Sequence, residues 1–69
     1  MPLTLMRVGD TACVTRVTGK DHVRSRLAEL GFTPGSEMKM VAKRGDDVIV
    51  SIKESRIALN RDMASRIMI

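Results

Sequence analysis

The stretch Arg26-Leu27-Ala28-Glu29-Leu30-Gly31-Phe32-Thr33-Pro34-Gly35 decides the fold of this 69-residue chain. Leu27 and Leu30 stand three apart and share one face of a helix. Gly31 supplies the left-handed residue that ends it, with Leu30 at the C-cap. Phe32 then lies two positions beyond the cap, where a Schellman ending turns its ring back onto Leu27. Thr33-Pro34-Gly35-Ser36 follows at once, with Pro and Gly at the two central positions that favour a type II turn. A capped helix that reverses directly into a strand is a rigid corner. It contains no nucleophile, base or metal-ligand set, so this segment builds a shape rather than a reaction.

Outward from the corner, Val23, Leu27 and Leu30 form an i, i+4, i+7 stripe on a helix predicted over residues 22–30, with Asp21 as its N-cap. Nine residues do not hold a helix in water alone, so it must dock on something. Residues 37–43 alternate as a strand, with Met38, Met40 and Ala42 on one face and Lys39, Val41 and Lys43 on the other. Arg44 to Asp47 turn the chain into a second strand over residues 48–53. Glu54 and Ser55 connect it to a third over residues 56–60. Asn60 caps one helical turn over residues 61–65, and residues 66–69 close with a strand. On the amino-terminal side, Leu3, Leu5, Met6 and Val8 form an apolar lead-in, Gly9-Asp10 a turn, and residues 11–17 a first strand. The expected fold is mainly β: a single domain over residues 1–69, forming a small five-stranded, strongly bent barrel. One α-helix lies between its first two strands and a short helical turn precedes the last. Closure into a barrel removes the unpaired edges of strands this short.

Composition narrows the function. A domain of this size buries only about 60% of its unfolded surface, so every apolar position counts. Cys13 is the single cysteine and forms no internal bridge, which fits a reducing compartment. Apolar runs such as Val48-Ile49-Val50 fall far short of the roughly 20 residues a membrane-spanning helix needs. Twelve Lys and Arg against 8 Asp and Glu give a formal charge of +4, spread along the chain without a block. Phe32 is the only aromatic residue, so base stacking and proline-rich grooves lack their usual platforms.

Candidate chemistry fares poorly. Met38 and Met40 are spaced to fill a core from one strand face rather than to bind a soft metal ion. His22 and Cys13 have no second His or Cys to complete a tetrahedral site. Asp46 and Asp47 sit in a turn that favours Asp for backbone reasons. The reading is a non-enzyme with no cofactor and no metal site.

Taken in order, Gly9, the run from Arg26 to Gly35, a hairpin, Arg56-Ile57-Ala58-Leu59 and Met63-Ala64-Ser65-Arg66-Ile67 resemble the FeoA family of bacterial ferrous iron transport proteins. That family carries R-L-x-E-L-G-L-x-P-G, then I/L-A-L, then A-x-x-I. Two positions depart from it: Asp47 stands where a proline is frequent, and Glu54-Ser55 where a glycine commonly precedes the I-A-L strand. The resemblance implies an SH3-like barrel that acts in the cytosol on FeoB, the membrane carrier of Fe²⁺, and is recruited by it to the inner membrane face. The short apolar runs and the scarcity of aromatic rings add the expectation of no membrane insertion by the chain itself and no specific nucleic acid. Within that frame Arg24, Arg26, the exposed part of Phe32 and Arg44 on the hairpin are the partner-binding candidates, because arginine and aromatic residues anchor interfaces. The alternatives are a basic RNA-binding regulator of the CsrA type and a self-assembling barrel, joined weakly through the face of Val41 and Ile49.

Overall fold

The computed structural model describes all residues, Met1–Ile69. A 3-10 turn, Leu3–Leu5, is followed by β1 (Thr11–Cys13) and β2 (Arg16–Val17), then α1 (Asp21–Glu29). Next come β3 (Glu37–Arg44), β4 (Asp47–Ile52), β5 (Ser55–Leu59), α2 (Arg61–Ser65) and β6 (Ile67–Met68). All pairings are antiparallel, in a four-stranded sheet of order β1-β3-β4-β5 and a two-stranded sheet of β2 and β6.

The closed barrel expected from sequence is therefore corrected to two sheets. The predicted strand over residues 11–17 serves both. Thr11 to Cys13 pair with β3, buried Val14 binds the Gly35–Ser36 turn backbone, and Arg16 and Val17 pair with β6. At the other side no ladder joins β5 to β6. The short α2 lies between them in sequence and packs against both, with Ala64 fully buried. A helical turn satisfies its own backbone, so it fills this gap without a strand pair.

The corner behaves as its residues dictate. Phe32 N–H donates to the Leu27 carbonyl (3.0 Å) and Gly31 N–H to that of Ala28 (3.0 Å), the two bonds of a Schellman ending. Gly31 has φ +107°, Gly35 has φ +90°, and Ser36 N–H closes the turn on the Thr33 carbonyl at 3.0 Å. Leu27 and Phe32 are both lost to solvent in the core, with Val23 and Leu30 half-buried against it. Met38 and Met40 are also core residues.

Four local expectations change. The helix starts one residue early: Arg24 N–H bonds the Lys20 carbonyl, which makes Lys20 the N-cap and puts Asp21 in the first turn. There the Asp21 carboxylate pairs with Arg24 instead of capping, a place where the helix dipole also favours an acid. A β-bulge between Met40 and Ala42 shifts the β3–β4 register. Ala42 consequently pairs with outward-facing Ile49 and joins the solvent face, rather than sharing a face with Met38 and Met40. The β4–β5 turn is made by Lys53 and Glu54, not Glu54 and Ser55, because Ser55 pairs with Ile52. Finally, the last strand shrinks to Ile67 and Met68, while Asn60 caps α2 as expected, its Oδ1 accepting from Met63 N–H at 2.9 Å.

Candidate interaction surface

The His, Cys and acidic side chains are dispersed over the surface. His22 lies exposed in the first turn of α1, Cys13 is exposed on β1, and no three His, Cys, Asp or Glu side chains cluster. What the fold does present is charge on several separate faces.

The four residues singled out from sequence do not form one patch. Arg24 and Arg26 are exposed on α1, and Arg24 is engaged by Asp21 one helical turn away. Phe32 is only 1% exposed, so the partner contact expected of it is corrected: its ring is wholly used in the core behind the Schellman corner. Arg44 is exposed but belongs elsewhere. Gly31 approaches Ile52, which pairs with Met38, whereas Arg44 pairs with Asp47 at the opposite end of the same ribbon. Six residues of strand separate the two ends, about 20 Å.

Around Arg44 the hairpin leans on the first and last turns of the chain. Lys43 Nζ donates to the Thr4 carbonyl (3.2 Å), and Arg61 sits 3.8 Å from the Asp46 carboxylate. The cleft between them holds Lys43 and Arg61 against the single acid Asp46, and both cations are engaged, Lys43 by a backbone carbonyl and Arg61 by that carboxylate.

The opposite, solvent-facing side of the sheet is different. Lys39 on β3, Ser51 on β4 and Arg56 on β5 stand side by side in one register row, with Thr11 of β1 at its end. Their chain neighbours Met38, Met40, Val50 and Ile52 are buried, so alternation turns the row outward. Val8 and bulged Val41 line the same cleft. Sequence reasoning placed Lys39 and Val41 on the outer face but missed the row, because cross-strand neighbours depend on register. The alternation of Arg56 with Ile57 was the available clue.

A small, mainly β domain with an SH3-like fold is the class these features define. The FeoA domain model matches residues 1–69, and the chain belongs to the FeoA family. It is 31% identical over 68 residues to a protein of Methanocaldococcus jannaschii provisionally named Fe(2+) transport protein A, covering 99% of this chain and 83% of that one. It is 33% identical over 69 residues to a Fe(2+) transport protein A/Fe(2+) transporter FeoB fusion protein of Porphyromonas gingivalis, covering 97% of this chain but only 8% of the fusion. Among solved structures, Stenotrophomonas maltophilia FeoA complexed with zinc, described as a prokaryotic SH3 domain protein, superposes with a TM-score of 0.87. The two are 34% identical, with 99% of this chain and 87% of that one covered. The family is one of accessory transport proteins linked to Fe(2+), not of enzymes.

Proposed function

We propose that this chain is a cytosolic accessory of ferrous iron uptake that binds a FeoB-like transporter and modulates it. The observation that carries this reading is the Porphyromonas gingivalis fusion, in which a relative of the whole chain is joined covalently to FeoB. Covalent linkage makes an encounter intramolecular, which is useful only when the two parts work on each other. The molecule supports the same reading by what it offers: exposed cations on a rigid scaffold, and no helix long and apolar enough to cross a membrane. An accessory of this kind reaches the membrane through its partner.

The test has two arms. Tagged chain is mixed with full-length FeoB of the same organism in detergent, and retention is measured against an unrelated membrane protein. In parallel, Fe²⁺ uptake is measured in cells that lack the chain and are complemented with it. Selective retention and restored uptake are expected. Absence of both would sink the reading.

A further inference from the structure

The outer cleft of the four-stranded sheet combines features found together nowhere else on the molecule. It encloses about 420 Å³ and has no acidic residue in its lining. Lys39 and Arg56 flank Ser51 across three strands. Neighbouring strands are about 4.8 Å apart, so the two cationic stems rise about 10 Å from one another with a hydroxyl between them. Both cations are free. The ion pairs of the chain join Arg24 to Asp21, Arg61 to Asp46 and Arg66 to Asp62, and neither Lys39 nor Arg56 takes part in one. Beside them Val8 leaves 59% of its surface in water, and Val41 adds a second aliphatic wall where the bulge pushes it out.

We propose that this cleft docks an extended acidic segment of the transporter, with a carboxylate held between Lys39 and Arg56 and an adjacent aliphatic side chain against Val8 and Val41. The inference rests on the FeoB-binding reading and adds the surface and the chemistry of its ligand. A guanidinium offers a carboxylate two parallel N–H donors, and an ammonium and a hydroxyl complete its remaining acceptor sites. A free phosphate would satisfy the cations but leave the valine wall wet. A nucleic acid would gain little, since two neutralised phosphates release few counterions and the cleft holds no aromatic ring for stacking. The α1 surface is the weaker competitor because its cleft is lined by Asp21 itself, which engages Arg24, and Arg26 lies outside that cleft.

The test is a titration of the ¹⁵N-labelled full chain with an acetylated Val-Glu-Val-Glu-Val peptide, followed by amide shifts. Expected are shifts concentrated at Val8, Lys39, Val41, Ser51 and Arg56, and no response to the same peptide with Lys in place of Glu. Lys39→Glu with Arg56→Glu should weaken peptide binding tenfold or more at an unchanged melting temperature. The neutral pair Lys39→Gln with Arg56→Gln repeats the measurement should the reversed charges disturb folding. Arg24→Glu with Arg26→Glu should bind as the unaltered chain does. The four proteins are then compared for retention by full-length FeoB. Retention of both Lys39/Arg56 variants at the unaltered level would overturn the cleft while leaving the transporter reading intact. If the unaltered chain is neither retained nor able to restore uptake, the transporter reading fails, and with it the assignment of the segment to FeoB. Shifts at the row with inorganic phosphate but not with peptide would reduce the cleft to a simple anion site and also overturn the proposal.

Discussion

Gly31 shows how much one residue decides. A Cβ placed there would meet Lys53 Cδ at 3.6 Å and Ile52 Cγ2 at 3.9 Å, which is ordinary contact, so the position has room for a side chain. The obstacle is torsional, because φ +107° is a conformation L side chains resist. Gly31→Val should therefore lower stability by more than about 1 kcal/mol, and Gly31→Asn by clearly less, since Asn tolerates positive φ better. Denaturant midpoints at constant slope measure both. Equal losses would show that crowding, not torsion, sets the cost. Phe32 makes the complementary point: the only aromatic side chain looks like an interface anchor in the sequence, yet the cap next to it turns the ring inward.

Among the elements, the β4–β5 hairpin is the least relaxed. Its two turn residues, Lys53 at φ +48° and Glu54 at φ +67°, are the only non-glycine residues with positive φ. A two-residue turn with both torsions positive is the type I′ connection, which follows the natural twist of paired strands and strongly prefers Asn-Gly. Glu54 stands in the region where the FeoA pattern commonly has glycine, so the departure seen in the sequence has a conformational cost. Lys53→Asn with Glu54→Gly should raise stability by about 1 kcal/mol. Thermal melting at fixed pH and salt checks it, and an unchanged or lower melting temperature would mean that Lys53 packing near Gly31 matters more than the torsion.

At the scale of the molecule, the formal charge of +4 is dispersed, and three of the arginines are matched to acids. RNA retention at low salt is then expected to be a counterion effect that collapses by about 150 mM salt and shows no sequence preference. Filter binding across a salt series measures this. Tight, sequence-selective binding at the higher salt would favour the RNA-regulator alternative over the transporter reading.

Local chemistry was legible in the linear order of residues. The Leu27–Gly31–Phe32 spacing, the Thr33-to-Ser36 turn, the Asn60 cap and the inward pair Met38 and Met40 each depend on neighbours within a few positions, and each formed as their physics requires. Family membership was legible for the same reason, since its motif is the corner itself. Tertiary structure alone decided the rest. Whether the first strand feeds one sheet or two depends on where β6 returns, and the open side exists because α2 fills it. The Val41 bulge reversed the face of Ala42, since one inserted residue shifts a period of two. Arg44 was parted from Arg24 and Arg26 by the length of a ribbon, and Lys39 was set beside Ser51 and Arg56 by register. Those neighbours are distant in sequence, and only the pairing of strands, a non-local choice made by the whole core, brings them together.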